Sequence, residues 1–258
     1  MINFDYLEKN KEKLRMDYLL ARPFQYLIID NFCDSAKAET MYSKIPDLDN
    51  KSRDYIFAGN KFEKSNYKEL GPEFDEFYNE ISSPRMNAFL SFIANEEVFV
   101  DPKNHGGGLH QGKKNSFLDM HLDFNYHPIH KNWYRNMNLL YYMNKNWNQG
   151  FGGHLKLEDL RSGEKKQLDV PFNRLIIQRT SSYTLHGYDM TNFPQGNYRT
   201  SIATYAYTPH QMHVEVPRLT DWRPNNNSSW LKKTIAKNMG GIVKLKNRIL
   251  GSGTAKNQ

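Results

Sequence analysis

One cysteine in 258 residues, Cys33, leaves no partner for an intramolecular disulfide and excludes a zinc site built from thiolates. A chain without disulfides fits a reducing compartment. Long apolar runs are missing too: no stretch approaches the ~20 residues that a bilayer-crossing helix needs. The opening "MINFDYLEKNKEKLRMDY" is too polar for a signal peptide, so a soluble, cytoplasmic protein is the expectation. Acidic residues are absent from Pro224 to Gln258, which carry Lys232, Lys233, Lys237, Lys244, Lys246, Arg248 and Lys256. These seven cations equal the net charge of +7, so the remaining chain sums to about zero. A basic body that grips nucleic acid is not indicated, and no nucleic-acid partner is expected.

What is present is aromatic and β-rich, with 16 Tyr, 15 Phe and 4 Trp to fill an interior. Residues 1–20 read as a charged helix and "RPFQYLIID" as a short buried strand. A helix follows, capped at Asp34 or Ser35. Residues 47–66 read as a polar surface loop, and the stretch from Gly71 to Glu96 as two helices broken at Ser83-Pro84. From about residue 97, short runs such as "VFVDP", "GGLHQ", "SFLDMHLDF", "NMNLLYYMN", "NRLIIQR" and "RTSIATYAYTP" alternate with turn residues, which indicates a sandwich or barrel. "RPNNNSS" (223–229) reads as a linker. Beyond it Leu231, Ile235, Met239, Ile242, Leu245 and Ile249 recur at helical intervals, interrupted by Gly240-Gly241. The chain thus divides into a support region (1–96) integral to the fold, a β core (97–222), and a linker with a basic amphipathic tail (223–258).

Within the β core, "SFLDMHLDFNYHP" places Phe117, Asp119, His121 and Asp123 on one parity of a strand and Leu118, Met120, Leu122 and Phe124 on the other. His121 and Asp123 then stand about 6–7 Å apart on one face. Such a pair on its own is more often a solvated surface pair than a pair of ligands. A useful metal site needs a third donor from elsewhere. His186, in the strand-like "SSYTLHGYD", is the best of the nine histidines. Two histidines and a carboxylate occupy one side of an iron coordination sphere and leave the other open, whereas a structural zinc site would be closed by protein. Thirteen residues on, "RTSIATY" sets Arg199 and Ser201 on one strand face, where a guanidinium fork and a hydroxyl suit the far end of a buried dicarboxylate.

This order of motifs resembles the Fe(II)- and 2-oxoglutarate-dependent dioxygenases, in their prolyl 4-hydroxylase-like bacterial branch. "HLD" at 121, "NLLYYMNKNWNQGFGGHLKLED" from 138, "FNRLIIQ" from 172, "LHGYDMTNFPQGNYRTSIATY" from 185 and the early "RPFQYLIIDNF" carry the likeness. The resemblance implies a double-stranded β-helix, or jelly roll, with N-terminal helices packed on it. It implies His121, Asp123 and His186 as iron ligands and Arg199, helped by Ser201, on the distal carboxylate of 2-oxoglutarate. Tyr142 matches a tyrosine that reaches the same carboxylate. Gln111 stands near where relatives place another tyrosine, which makes it a candidate cosubstrate contact that departs from the pattern. The activity implied is hydroxylation of an unactivated C–H bond with Fe(II), 2-oxoglutarate and O2, and ascorbate as a candidate reductant. Substrates would be a prolyl residue in a peptide or protein, or a glycan or small molecule.

Other residues have plainer readings. His127 and His130 are expected as polar loop residues near the mouth, His154 at the start of a strand, and Arg135 as a solvated arginine. Asn138 is a candidate pocket-lining residue, Trp147 is expected beside a loop, and Gly152-Gly153 in a tight turn. The tail at 224–258 suits either peripheral contact with an anionic membrane or a partner protein, or packing on the body. Two rivals remain at this point: a jelly-roll binding module without catalysis, and a cupin-type metalloenzyme that does not use 2-oxoglutarate.

Overall fold

The computed structural model describes residues 1–48, 56–224 and 228–238. Three of the four N-terminal helices, α3 excepted, start where the sequence supplies a side-chain cap. Asn3 accepts the amide of Tyr6 at the head of α1 (Phe4–Leu20), and Asp34 accepts that of Lys37 at the head of α2 (Ser35–Ser43). The expected break separates α3 (Pro72–Ile81) from α4 (Pro84–Ala94). There Ser83 accepts the Met86 amide, and Pro84 sits in the first turn, where its missing N–H removes no bond.

The strands are β1 (Tyr26–Asp30), β2 (Ala58–Lys64), β3 (Phe99–Val100), β4 (Gly108–Leu122), β5 (Trp133–Tyr142), β6 (Leu155–Asp159), β7 (Lys165–Leu168), β8 (Arg174–Arg179), β9 (Thr184–Tyr188), β10 (Arg199–Pro209) and β11 (Asp221–Trp222). They join edge to edge in the order β1-β8-β5-β10-β4-β9-β6-β7, with β2 and β11 also on β4 and β3 on β10. The curled antiparallel sheet is the double-stranded β-helix expected. Its two faces explain why "RLIIQ" reads as continuously apolar. Leu175 and Ile177 join Leu139, Tyr141 and Ile202 in a core shared with Leu7, Leu14, Phe74, Phe77 and Leu90 of the helices. Ile176, between them, faces the other way into a smaller core with Tyr142, Leu155, Leu157, Leu168 and Val170. Each such side chain contributes roughly 1.5–3 kcal/mol on burial, so the helices and the sheet are held by one interior.

Two sequence expectations need correction. Residues 47–66 are not simply a surface loop, because Ala58–Lys64 forms β2 against β4. Its many polar residues hid a strand that has charged groups on a cavity face. "GGLHQ" and "SFLDMHLDF" are one strand rather than two. Lys61 pairs with Gly112 and Gly59 with Phe117, so residues 113–116 bulge out of β4, with Asn115 left-handed at φ 63°. The tail is described only in its first part: residues 230–238 are helical, Lys232 pairs with Asp119 at 2.7 Å over the Phe117 ring, and Ala236 is buried. That part packs on the body. Residues 49–55 of the expected loop, 225–227 of the linker, and the tail from Met239 through Gly240-Gly241 to Ile249 and beyond lie outside the described residues. No helix among the described residues is long and apolar enough to cross a membrane.

Candidate active site

β4 and β9 lie side by side with His121 directly opposite His186, and Asp123 follows the end of β4. Non-local strand pairing thus brings together residues 65 positions apart in sequence, as 186 − 121. One donor atom from each of the three lies within 4.8 Å of the others. Nε2 of His121 is 3.6 Å from Asp123 Oδ1, and Nε2 of His186 is 3.6 Å from Asp123 Oδ2. These gaps are too long for hydrogen bonds; they surround a space between donors. The Asp119 carbonyl, 2.9 Å from His121 Nδ1, can only accept, so Nδ1 carries the proton and Nε2 turns its lone pair inward. Trp222 covers the His121 ring at 4.7 Å between centroids.

The uninterrupted alternation read from Phe117 to Phe124 does not hold. Leu118 pairs with Tyr188 and His121 with His186, so β4 carries one residue more than β9 in that interval. This irregularity re-aims His121. Gly187 makes the close approach possible: a Cβ there would lie 2.6 Å from the Leu118 carbonyl oxygen.

Asp123 is held from behind. Asn138 Nδ2 donates to its Oδ2 at 2.7 Å, and Arg135 Nη2 lies 3.1 Å from the same oxygen. Arg135 also donates twice to Asn138 Oδ1 and lies over the Tyr205 ring at 3.5 Å. Arg135 is therefore fully buried rather than solvated, because a carboxylate, an amide and an aromatic face replace its water. Asn138 lines the site as expected. Burial alone would raise the Asp123 carboxyl, but Arg135, His186 and His121 outweigh it and hold it well below the usual carboxylate range. Burial, and then the neighbouring His121, push His186 down to about 3. Near neutrality the set presents an ionised carboxylate and a neutral His186, the forms a metal ligand requires. Two imidazoles and one carboxylate on one side of a space suit Fe(II).

The second part of the site is a cross-strand row. Tyr142 of β5 stands opposite Ser201 of β10, Ser201 opposite His110 of β4, and His110 opposite Glu63 of β2. The next row holds Arg199, Gly112 and Lys61. Arg199 is buried; its Nε donates to the Gly153 carbonyl at 2.7 Å, its Nη2 to Tyr142 Oη at 3.3 Å, and it lies 3.9 Å over the Tyr188 ring. No carboxylate pairs with it among the described residues. Gly153, at φ 71°, turns its carbonyl toward Arg199, so the expected tight turn also places an acceptor.

Gln111 does not belong to this face. It shares the parity of Leu109, which is in the helix-facing core, and its amide is fully used: Oε1 accepts from Leu48 N–H at 2.8 Å and Nε2 donates to the Pro46 carbonyl at 2.9 Å. It fastens the segment after α2 and does not face a cosubstrate. The residue that faces the cavity is its neighbour His110, which burial and the adjacent Lys61 and Arg199 push well below the ordinary histidine value. His110 and Lys61 escaped the sequence reading. The parity of Arg199-X-Ser201 carried across to β4 would have found the first, but nothing in the sequence registers β2 against β4.

A second His/Asp group lies apart from this site. His127, expected as a polar loop residue, is fully buried and joins Asp101 and His105. His105 Nδ1 is 2.9 Å and His127 Nε2 3.3 Å from Asp101 Oδ2. His127 Nδ1 accepts two backbone amides, from Ile129 and His130, so its proton sits on Nε2 and points at the carboxylate. No lone pair is left there for a metal; the cluster is a hydrogen-bond network that fixes the loop. Trp147 donates to the Gly152 carbonyl, and His154 stands just before β6.

Comparison with known proteins agrees with this geometry. Residues 107–207 match the model of the 2OG-Fe(II) oxygenase superfamily. No match is found among curated proteins. The fold is similar to that of a prolyl hydroxylase from Trichoplax adhaerens solved with a hypoxia inducible factor oxygen degradation domain peptide, at 16% identity and a TM-score of 0.54, over 79% of this chain and 92% of that one. It is similar also to a Pseudomonas putida prolyl-4-hydroxylase, at 12% identity and TM-score 0.55, over 77% and 99%. A 2OG-Fe(II) oxygenase family oxidoreductase from Burkholderia pseudomallei aligns at 14% identity and TM-score 0.50, over 79% and 88%. The matched stretch runs from before His110 to beyond Ser201 and takes in the whole triad. The segment 107–207, which carries the triad, is similar to the 2OG-Fe(II) oxygenases, oxidoreductases that work with Fe(II), 2-oxoglutarate and O2.

Proposed function

We propose that His121, Asp123 and His186 hold Fe(II), and that Arg199 with Tyr142 and Ser201 receives the distal carboxylate of 2-oxoglutarate. The observation that carries this is a buried guanidinium, without a carboxylate partner among the described residues, on the face that the three-donor set also addresses. With 2-oxoglutarate and O2, bound iron supplies the oxidising power to hydroxylate an unactivated C–H bond, releasing succinate and CO2. The chain's own residues set the stage. Arg135 and Asn138 keep Asp123 ionised and oriented, the Asp119 carbonyl fixes the His121 tautomer, and Tyr142 and Gly153 steer Arg199. Trp222 over His121 excludes water from one side of the metal position.

For the substrate, the fold neighbours that are prolyl hydroxylases, one of them solved with a peptide, support a peptide- or protein-borne C–H bond, with proline first. A cupin-type site without 2-oxoglutarate would leave Arg199 and Tyr142 with no ligand to serve. A reducing, cytoplasmic setting accords with the lone buried thiol of Cys33, which burial raises to about 12. The test is succinate release from 2-oxoglutarate by Fe(II)-loaded protein across a prolyl-peptide library, with products read by the mass of one added oxygen. His186→Ala is expected to abolish release; full release by that variant would refute the ligand assignment.

A further inference from the structure

β2 contributes a residue that neither the triad nor the Arg199 cluster uses. Lys61 lies in the same cross-strand row as Arg199, with Gly112 between them, and directly opposed residues of an antiparallel sheet project from the same face. Lys61 therefore shares its sheet face with Arg199, and the charges of Glu63, Arg199 and Asp123 all act on it. It forms no ion pair among the described residues. Glu63, two positions along the same face, forms no ion pair with it and is half exposed to water, though its charge favours the ammonium. Burial lowers its pKa and outweighs the help of Glu63 and Asp123.

Glu63 is half exposed and lies beside His110, so it offsets Lys61 only in part. Asp123 is answered by Arg135 at 3.1 Å, so the pair is close to neutral. A divalent metal and Arg199 together exceed the charge of a dianionic 2-oxoglutarate. A positive surplus therefore remains after the cosubstrate is in place, and Lys61 adds to it. Buried like charges are costly unless an anion joins them.

We propose that Lys61 receives an oxyanion, a carboxylate or a phosphate, carried by the substrate close to the C–H bond that is hydroxylated. This deepens the function proposed above and rests on it: the same cavity would take a substrate that is acidic near its reacting carbon. Lys61 is then a specificity residue, because a neutral twin of the substrate leaves the half-buried ammonium without an anion of the substrate to meet.

The experiment uses the full chain loaded with Zn(II), as an inert stand-in for iron, and with 2-oxoglutarate. Calorimetry compares matched probes: acetyl-Pro-Asp-amide with acetyl-Pro-Asn-amide, acetyl-Pro-Ser-amide with its O-phosphate, and N-acetylproline with its amide. In at least one pair the anionic member is expected to bind about tenfold or more tightly, and the pair that does so identifies the anion's source. Lys61→Met should bring the twins within about twofold and keep 2-oxoglutarate affinity within about twofold of wild type, while Lys61→Arg restores the preference. Twins that bind alike to wild type in every pair overturn the proposal. So does a loss of 2-oxoglutarate affinity in Lys61→Met, which would assign the lysine to the cosubstrate. Metal and 2-oxoglutarate binding are measured first. Their failure in wild type sinks the site assignment and leaves the anion preference to be read on unloaded protein with the same pairs.

Discussion

Arg135 and Asp123, both buried, meet at 3.1 Å, and Asn138 bonds to each of them. The proposed carboxylate ligand thus has its counter-charge built into the wall of β5 before any metal arrives. Removing one member of a buried charge pair costs roughly 3–5 kcal/mol. Arg135→Met is therefore expected to destabilise metal-free protein by about that much in chemical denaturation. Adding metal should recover part of the loss, because an ion on the other side of Asp123 takes over the guanidinium's task. Equal losses with and without metal would separate Arg135 from the metal site.

Arg199 has no acid as a partner among the described residues. Arg199→Leu should weaken 2-oxoglutarate binding by about 100-fold or more and leave metal affinity nearly unchanged. Tyr142→Phe, which removes one hydroxyl, should weaken it by only about three- to tenfold. Both follow from calorimetric titration of metal-loaded protein. A larger effect of Tyr142→Phe than of Arg199→Leu would invert the assignment.

His110 and Gln111 are adjacent and face opposite ways, so they should fail differently. Gln111→Leu leaves the Leu48 amide and the Pro46 carbonyl without partners and should lower stability by roughly 1–3 kcal/mol, with 2-oxoglutarate affinity intact. His110→Gln should alter cosubstrate affinity with a smaller loss of stability. Thermal melts and titrations on the same two proteins decide this.

The sign of the pH dependence follows from His186. Its folded pKa, about 3, lies below the ordinary value of 6.5, so the folded protein binds fewer protons than the unfolded chain as pH falls below 6.5. Its effect is a stability lost on acidification, continuing down to about pH 3. Between pH 6.5 and 5 this amounts to roughly 2 kcal/mol for metal-free protein. His110, also lowered, acts in the same direction. Asp123 contributes in the same sense only at lower pH, because its depressed pKa keeps its stabilising charge until well below the usual carboxylate range. His186→Gln should flatten the slope of stability against pH in this window, as measured by denaturation at pH 5, 6 and 7.

Much of this was legible in the sequence, for reasons that can be located. α2, α3 and α4 announce themselves through Asp34, Ser83 and Pro84, which act locally. The triad was legible because ligand chemistry restricts the residue types and His186 had few rivals. What depends on strand register was not legible. "GKKN" looks like a turn between two strands, yet residues 113–116 are a bulge inside one. Gln111 and His110 differ by one position, and a shift of one residue exchanges the cavity face for the core face. Lys61 sits in a stretch whose polarity imitates a loop, because its polar side chains meet a charged cavity rather than water alone. Arg135 looked solvated because its partner Asp123 is twelve residues away in sequence, as 135 − 123, and across a turn in space.

The central claim is that three donors, from β4, the residue just after it and β9, form one metal site that opens toward Arg199. Anaerobic titration of metal-free protein with Fe(II), followed by 2-oxoglutarate, tests it most directly through the visible charge-transfer absorption of an iron-bound keto acid. The account predicts saturation at one iron per chain, no absorption with His186→Ala, and iron binding without tight 2-oxoglutarate binding in Arg199→Leu. Unchanged absorption in His186→Ala, or none in the wild-type protein, would contradict it.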